Sequence, residues 1–417
     1  MSQSAPALAG MRVLDLSQYE AGPSCTQLLA WLGADVVKVE RPGAGDPGRS
    51  LLGATGTAAY FLYWNTNKRS VAIDLEKPAG RALLLRLLPR YDVFVENFGP
   101  GVIEKLGLDY ETLRASHPAL IYARIKGFGG DGPHAGYKSF DMVAQATAGA
   151  FSVTGAKDGP PMCPGPTMGD SGTGAQAALA ITAAYVQRLR TGLGQLVELS
   201  MQEAMTYYMR TRLANGSSFG GGVAPRAGNG EGPMLNLYPC APGGPNDYVY
   251  LVVATPRMWE QLCGAMGRPE LATDPRFAGW IARHQNGAAC FEEIARWTRT
   301  HTKHEAMRIL AGAGVPCGAV NDSRDLFADP HLRARGFVVE LEHEAHGKVA
   351  HLGNPLRLSQ SRVEMRAAPA LGAHTGEILR ADLGVDDAEL QRLRESGVIP
   401  PLRRAEALGA ELKKEQA

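Results

Sequence analysis

The sequence has almost no net charge. Its 417 residues include 43 Lys and Arg and 42 Asp and Glu, which leaves a formal net charge of +1. A protein that binds nucleic acid or anionic lipid through a basic surface usually carries a clear excess of Lys and Arg. We therefore expect neither nucleic acid nor a membrane among the partners of this chain.

The sequence also lacks a cysteine pair, a zinc-type histidine spacing and a long apolar run. Its six cysteines form no Cys-x-x-Cys motif, and no histidine pair has the further ligand that a zinc enzyme needs. No apolar run reaches the length of about 18 residues that crosses a membrane. Residues 1–6 show neither the basic nor the apolar region of a signal peptide. We expect a cytoplasmic protein without a metal site.

In the amino-terminal half, short β-rich runs alternate with helical stretches. The pattern predicts strands at 11–16, 35–41, 70–75, 92–98, 120–128 and 195–200, and helices at 25–33, 77–91, 174–190 and 201–215. Such alternation is typical of an α/β fold with a largely parallel sheet. Ligands of that architecture bind at the carboxyl ends of the strands. We therefore look for a site in the loops 40–45, 96–101 and 126–130.

A change of composition indicates a domain boundary. Residues 216–232 are rich in Gly, Pro and Ser, as linkers between domains often are. Beyond them, a strand at 248–254 and amphipathic helices at 256–267, 291–301 and 304–311 predict a smaller α+β domain. We place the first domain segment at 1–215, the linker at 216–232 and the small domain at 233–330.

Two familiar motifs occur in a context that argues against their usual functions. Residues 127–132 fit Gly-x-Gly-x-x-Gly after a strand, but residues 133–137 start no helix that could hold a pyrophosphate. Residues 169–172 read Gly-Asp-Ser-Gly, as around the serine of trypsin-like proteases, which are all-β proteins. We predict neither dinucleotide binding nor serine hydrolysis.

Asp170 lies in the second of these motifs, on a glycine-rich turn ahead of a predicted helix. Two interpretations are open. In the first, Asp170 is an N-cap, a role that Asp fills well. In the second, its small neighbours leave the carboxylate open to a substrate, and it acts as a covalent nucleophile.

An ordered set of segments resembles the class III CoA-transferases, the family of formyl-CoA transferase and carnitine CoA-transferase. Two of the longest are Leu-Gly-Ala-Asp-Val-Val-Lys-Val-Glu-Arg-Pro at 32–42 and Val-Glu-Asn-Phe-Gly-Pro-Gly at 95–101. The others lie at 13–16, 21–23, 67–70, 140–146, 158–161 and 169–171. The resemblance extends from about residue 8 to about residue 398.

This resemblance implies an α/β fold with a Rossmann-like large domain, in which residues 331–417 return to complete the segment 1–215 around an inserted small domain. It also implies a ring-shaped chain in an interlocked homodimer. The implied activity exchanges CoA between an acyl-CoA and a small carboxylic acid, with CoA esters as substrates and no permanently bound cofactor. Asp170 matches the family nucleophile, which passes through an aspartyl anhydride and an aspartyl-CoA thioester.

The resemblance further implies which residues contact CoA. They are Arg41, Asn97, Phe98, Gly99, Lys105 and Lys138. Lys105 stands where formyl-CoA transferase has an arginine, so the charge is kept but the bidentate fork is lost. For the two lysines, a solvated surface position is the open alternative.

Two departures from the family pattern affect the predicted site. Glu20 replaces a glutamine beside the acyl group, which puts formate and oxalate in doubt as substrates. We expect Glu20 to act in catalysis by keeping its proton near neutral pH, since Asp170 must attack as an anion from the same pocket. An outward Glu20 that pairs with a cation is the open alternative. The second departure is a shorter glycine loop at 228–232, which predicts less complete closure over the site.

Two other functions are weighed against CoA transfer. The α-methylacyl-CoA racemases share the fold but use a histidine in a Gly-His-Asp segment, where this chain has Ser139, Phe140 and Asp141. Without that imidazole, proton exchange lacks one partner. A non-catalytic CoA-binding protein is the other alternative, and it requires that Asp170 be buried and occupied as a helix cap.

Overall fold

The computed structural model describes residues 5–53, 57–344 and 346–401. The chain divides into two compact units, which are described separately. The first comprises the described residues within 1–150, 164–211 and 335–417, and the second comprises 151–163 and 212–334. Residues 151–163, which the sequence analysis assigns to the large domain, thus belong to the second unit. The linker at 216–232 and the boundaries at 215 and 330 stay predictions.

The strands of the described chain form three sheets. In chain order they are β1 (Arg12–Asp15), β2 (Asp35–Glu40), β3 (Arg69–Ala72), β4 (Val93–Glu96), β5 (Ile121–Lys126), β6 (Leu196–Ser200), β7 (Leu235–Pro239), β8 (Tyr248–Val252), β9 (Cys317–Ala319), β10 (Val338–His343) and β11 (Gly347–Leu352). The first six form one sheet whose neighbouring strands are all parallel. The predicted parallel α/β sheet is confirmed. Both β7-β8-β9 and β10-β11 are antiparallel.

The helices lie between and after these strands. In chain order they are α1 (Ala21–Trp31), α2 (Ala59–Trp64), α3 (Pro78–Leu87), α4 (Val102–Lys105), α5 (Tyr110–Ser116), α6 (Asp141–Thr147), α7 (Thr173–Thr191), α8 (Met201–Tyr208), α9 (Arg210–Gly216), α10 (Pro256–Ala265), α11 (Trp280–Gln285), α12 (Gly287–Thr298), α13 (Lys303–Gly312), α14 (Ser323–Ala328), α15 (Pro330–Ala334), α16 (Thr375–Leu383) and α17 (Asp387–Glu395). A π-helical turn, Met168–Gly172, leads directly into α7. The predicted helix at 25–33 begins earlier because Pro23 lies in its first turn, where no N–H is needed.

The order of the parallel strands places a crevice at their carboxyl ends. The order is β3-β2-β1-β4-β5-β6, so the chain builds outward from β1 on one side and then continues with β4 on the other side. The loops that follow β1 and β4 therefore diverge, and α/β proteins bind ligands at such a point. The same order is that of a Rossmann-like fold, as the resemblance implies.

Hydrophobic residues pack on both faces of this sheet. Val13 joins a core with α1 and α7, whereas its neighbour Leu14 joins a second core. That second core includes Ile378 from α16 and Leu390 from α17, so the last described helices pack within the first unit. Burial on both faces is typical of a parallel sheet whose faces are covered by helices.

The second unit has a core of its own. Its sheet has β8 in the middle, and α10, α12 and α13 pack around it through residues such as Trp259 and Ile294. The sequence predicts β8 and these three helices. It misses β7, which ends in Pro239, and β9, which has only three residues, because both give a weak strand signal.

In the first unit, α1 and α7 approach closely at a glycine. A Cβ atom at Gly174 would lie 2.0 Å from Ser24 Oγ and 2.7 Å from the carbonyl oxygen of Ala21. The contact therefore leaves no room for a side chain. Glu20 precedes α1, and Asp170 lies in the turn before α7. The close approach brings the two predicted catalytic residues to the same end of the sheet.

Replacing Gly174 by alanine should lower the free energy of unfolding by about 1–3 kcal/mol, because the added methyl group overfills the contact. The control is Gly376→Ala in α16, where a Cβ atom would meet only the flexible ends of Arg380 and Arg394. Helix propensity favours alanine at both positions. Urea denaturation should show a loss only for Gly174→Ala, and equal stability of the two variants would contradict the packing argument.

Candidate active site

Two adjoining cavities open at the carboxyl end of the parallel sheet. The first, of about 170 Å³, lies beyond β1, β4 and β5, and the second, of about 240 Å³, lies beyond β1, β2 and β3. Gln18 and Phe98 line both of them. Every described residue that lines either cavity belongs to the first unit. The cavities lie where the strand order predicts a ligand site.

Most of the predicted site residues line the first cavity. They are Glu20, Asn97, Phe98, Gly99, Lys138 and Asp170. Arg41 lines the second cavity, where its exposed guanidinium pairs with Glu76 at 3.3 Å. Lys105 lines neither and is exposed on α4, although Val102 and Leu106 on either side of it line the second cavity. A contact between Lys105 and a ligand stays a prediction.

The Asp170 carboxyl is buried at the first cavity and caps no helix. The residue is 8% exposed. Gly172 precedes α7, and that helix start has no side-chain cap. Among the described residues, no donor forms a hydrogen bond with the Asp170 carboxylate. The N-cap interpretation is therefore wrong, and the carboxylate faces the cavity without a protein donor.

Asp141 fixes the turn that carries Asp170. Its Oδ1 accepts the backbone N–H of Asp170 at 3.0 Å, and its Oδ2 accepts Nε2 of Gln145 at 2.7 Å. A Cβ atom at Gly169 would lie 2.6 Å from the carbonyl oxygen of Asp141, so only glycine permits this approach. The sequence analysis considers Asp141 only as part of the racemase comparison, and the structure shows it as a support for the Asp170 turn.

Glu20 is buried and hydrogen-bonded. It is 2% exposed. Its Oε1 accepts the hydroxyl of Thr167 at 2.5 Å, and its Oε2 accepts the hydroxyl of Tyr60 at 3.4 Å. Within the described residues, no cation pairs with it. The outward, ion-paired alternative is wrong. Sequence reasoning missed Thr167 and Tyr60 because both are distant from Glu20 along the chain.

Burial raises the pKa of both carboxyls. Loss of solvent is the largest cause for Asp170, followed by the charges of Glu20 and Asp141, and its pKa rises to about 8. Loss of solvent also raises the pKa of Glu20 to about 7; the Thr167 and Tyr60 hydrogen bonds oppose this rise, and the charge of Asp141 adds to it. Two carboxyls in one buried pocket do not both ionise easily. Near pH 7 the pair therefore holds at least one proton.

The sequence analysis places this proton on Glu20 and leaves Asp170 ionised. In the structure the pKa of both carboxyls is raised, that of Glu20 as expected and that of Asp170 as well. Two hydrogen bonds stabilise the charged form of Glu20, whereas no described residue donates a hydrogen bond to the Asp170 carboxylate. The two carboxyls titrate as a coupled pair. A reactive Asp170 anion requires that the proton be on Glu20 or have left the pair.

Buried charges hold the loop that follows β1. Lys38 Nζ donates to the carbonyl oxygen of Ser17 at 2.6 Å and pairs with Asp46 at 2.8 Å. Asp46 in turn accepts the N–H of Tyr19 at 3.1 Å. Tyr19 has φ +61°, a left-handed conformation that costs a residue with a side chain about 1–2 kcal/mol. These contacts maintain the conformation that positions Glu20, the next residue.

Asn97 fixes the same loop from the neighbouring strand end. Its Oδ1 accepts the N–H of Gln18 at 2.7 Å, and its Nδ2 donates to the carbonyl oxygen of Gln18 at 2.8 Å. Both polar groups of the amide are thus engaged with the loop. In this structure Asn97 positions the wall of the first cavity, while Phe98 and Gly99 form part of its surface.

Further ion pairs lie buried beneath the loop. Lys68 pairs with Asp15 at 3.0 Å, and Arg49 pairs with Glu40 at 2.6 Å. All four side chains are less than a tenth exposed. Sequence reasoning missed these pairs because charged residues are rarely buried and no local pattern identifies the partner of a charge.

The first cavity contains no imidazole among its described lining residues. The Gly-x-Gly-x-x-Gly segment at 127–132 is followed by loop until α6, so no helix starts beside it. Within the residues that the structure describes, no cluster of His, Cys, Asp and Glu is arranged to hold a metal ion. No helix in that part of the chain is long and apolar enough to cross a membrane.

Comparisons with known proteins show what this chain is similar to. The model of CoA-transferase family III matches residues 8–375. A formyl-CoA:oxalate CoA-transferase of Rhodopseudomonas palustris strain BisA53 is 43% identical over 96% of this chain and 99% of its own length. The enzyme of the same name from Bradyrhizobium diazoefficiens is 42% identical, over 95% and 98%. A crystal structure of a CAIB/BAIF family protein from Brucella suis has a TM-score of 0.81 and 33% identity, over 91% of this chain and 100% of that one.

The substitution Glu20→Gln should lower the pKa of Asp170, because it removes the neighbouring charge while it keeps the shape of the side chain. A fall of roughly one unit is expected from a single nearby carboxylate. Infrared difference spectra of the carboxyl bands as a function of pH measure it. The control Glu260→Gln makes the same change at an exposed position and should leave the titration unaltered. An unshifted Asp170 in Glu20→Gln would refute the coupling.

Proposed function

The chain belongs to CoA-transferase family III and is an enzyme that transfers CoA, and we propose that it does so by covalent catalysis at Asp170. One observation supports this proposal above the others. The Asp170 carboxyl lies buried at a cavity beyond the strand ends, and the described residues supply it with no hydrogen-bond donor. A carboxylate that the protein does not occupy is available as a nucleophile.

The proposed exchange begins when an oxygen of Asp170 attacks the carbonyl carbon of the donor thioester. The C–S bond breaks, CoA leaves as thiolate, and Asp170 is joined to the acyl group as a mixed anhydride. The thiolate then attacks the Asp170 carbonyl carbon, which releases the donor acid as carboxylate and leaves an aspartyl-CoA thioester. The acceptor carboxylate then attacks the carbonyl carbon of the aspartyl-CoA thioester, which releases CoA thiolate and forms a second mixed anhydride. The thiolate attacks the acceptor carbonyl carbon of this anhydride, so that the acceptor leaves as its CoA ester and the Asp170 carboxylate is regenerated. No proton is gained or lost overall.

Glu20 is proposed to assist this chemistry as a hydrogen-bond donor. A protonated Glu20 can donate to the acyl or anhydride oxygen on which negative charge develops. The pair of carboxyls already retains a proton near pH 7, since burial raises the pKa of Glu20 to about 7 and that of Asp170 to about 8. The reactive form is the one in which Asp170 is the anion and Glu20 carries that proton.

The two cavities are proposed to receive the CoA ester, with its thioester at Asp170 and the rest of CoA extending past Phe98 into the second cavity. The exposed pair of Arg41 with Glu76 is of the kind that contributes little stability, so Arg41 can exchange Glu76 for a phosphate at small cost. Lys138 offers a second charge at the first cavity. Lys105 is proposed as a further contact from α4.

The alternative functions are less well supported. A racemase needs a second acid or base, and the described lining of the first cavity includes no histidine. A non-catalytic CoA-binding role depends on an Asp170 occupied as a cap, and α7 begins without a side-chain cap. By their names, the two relatives act on formyl-CoA and oxalate. For this chain we propose the broader class of an acyl-CoA donor and a small carboxylic acid.

We also propose, from the resemblance, that the chain is ring-shaped and that two copies interlock in the cytoplasm. Exposed apolar side chains on α7 support a partner copy. Leu179 and Leu189 are 72% and 69% exposed, and Val186 on the same helix is 42% exposed. Apolar groups of this kind are often covered in an assembly.

Asp170→Ala should lower the rate of CoA transfer by roughly 10⁴-fold or more, because the nucleophile is lost. Affinity for CoA should change little, since it comes from remote contacts. Mass spectrometry of new acyl-CoA esters and calorimetric titration with CoA measure the two effects. Asp131→Ala, at an exposed position, is the matched control. The nucleophile assignment fails if the Asp170 variant keeps more than roughly a few per cent of wild-type activity.

Light scattering should give a particle of twice the chain mass of 44.4 kDa. Copies that carry different tags should exchange slowly after mixing, because interlocked chains separate only after substantial unfolding. The mass of a single chain at working concentration would exclude the homodimer, and rapid exchange of tags would exclude interlocking.

A further inference from the structure

Two carboxyl groups line the first cavity and a third lies behind them, without a matching buried cation. Glu20 and Asp170 line it, and Asp141 lies against the Asp170 backbone, whose N–H it accepts at 3.0 Å. All three residues are less than a tenth exposed. Glu20 accepts hydrogen bonds from two hydroxyl groups, and Asp141 accepts one from a side-chain amide and one from a backbone N–H. No described residue donates a hydrogen bond to the Asp170 carboxylate, and no described lysine, arginine or histidine pairs with any of the three.

The two lysines that line the cavity do not supply the missing charge. Lys126 Nζ pairs with Glu96 at 2.9 Å and donates to the carbonyl oxygen of Phe98 at 2.8 Å. Lys138 is exposed, where water and salt screen its charge. Much of the remaining lining is apolar and includes Ala21, Phe98, Ile125, Phe140 and Met201. The cavity thus combines unpaired acidic groups with an apolar wall.

We propose that Glu20 makes this a site for monocarboxylic acids with a small, uncharged remainder, and that dicarboxylates such as oxalate are poor acceptors. The inference rests on the CoA transfer proposed above. An acceptor must bring one carboxylate to Asp170 in order to react. On a small dicarboxylate, the second carboxylate would then lie near Glu20 and Asp141, with no buried cation to receive it.

The two carboxylates of such an acceptor differ in the free energy that it costs to bury them. The first loses its charge when it forms the anhydride, whereas the second keeps its charge throughout. An unpaired charge is costly in a buried site, and neighbouring carboxyls raise that cost. Glutamine at position 20 would keep the shape of the side chain and provide two N–H donors, whereas a protonated Glu20 has a single O–H, which the proposed mechanism uses on the acyl oxygen. Glu20 is therefore a specificity-determining residue for the acceptor.

Competition between two acids in one reaction tests the proposal. The wild-type enzyme receives a panel of donors, formyl-CoA, acetyl-CoA and succinyl-CoA, with propionate and oxalate at equal concentration. Mass spectrometry follows the initial formation of propionyl-CoA and oxalyl-CoA. Because both acids compete for the same enzyme form, the product ratio equals the ratio of their kcat/KM values. Propionyl-CoA should exceed oxalyl-CoA by at least about tenfold, since the second carboxylate of oxalate would be an unpaired charge in a buried site.

Two variants assign the preference to Glu20. Glu20→Gln should shift the product ratio toward oxalyl-CoA by about tenfold or more, and the exposed control Glu260→Gln should leave it unchanged. Oxalyl-CoA equal to or above propionyl-CoA in the wild type overturns the proposal, whether or not the variants fold. An unchanged ratio in Glu20→Gln overturns the role of Glu20. Failure of every acid to receive CoA would overturn the transfer function as well, whereas a lost preference with transfer intact overturns this inference alone.

Discussion

The buried charges beneath the loop after β1 are the constraint on which the candidate site depends. Lys38 binds both Asp46 and the Ser17 carbonyl oxygen, and Asp46 holds the N–H of Tyr19. Breaking a buried ion pair by removing one partner costs about 3–5 kcal/mol, which exceeds the strain of the left-handed Tyr19. These contacts therefore outweigh the backbone strain and hold Glu20 at the end of the loop.

The properties of the carboxyl pair follow from that position. The contact of α1 with α7 at Gly174 brings Glu20 and the Asp170 turn to the same end of the sheet. Both carboxyls are withdrawn from water, and the pKa values of Glu20 and Asp170 are raised to about 7 and about 8. The loss of solvent that raises both pKa values and retains a proton in this pair also makes a further unpaired charge costly. Proton sharing and the proposed choice of acceptor thus have one physical origin.

The sequence predicted the sheet and the candidate nucleophile better than it predicted the surroundings of that nucleophile. Strands buried on both faces have a distinct apolar pattern, and the glycines around Asp170 make it conspicuous. Nothing local identifies Thr167 and Tyr60 as partners of Glu20, since they lie 147 and 40 residues away along the chain. The pKa of Glu20 depends on those hydrogen bonds, so the sequence alone does not assign the shared proton.

The proposed role of Asp170 has a direct isotopic test. An acceptor acid labelled with ¹⁸O in both carboxylate oxygens attacks the aspartyl-CoA thioester and then departs as its CoA ester without one of those oxygens. That oxygen remains on Asp170. After turnover, mass spectrometry of the peptide that contains Asp170 should therefore show ¹⁸O in this side chain, and the product thioester should retain one labelled oxygen. CoA transfer to the labelled acid with an unlabelled Asp170 would contradict covalent catalysis at this residue.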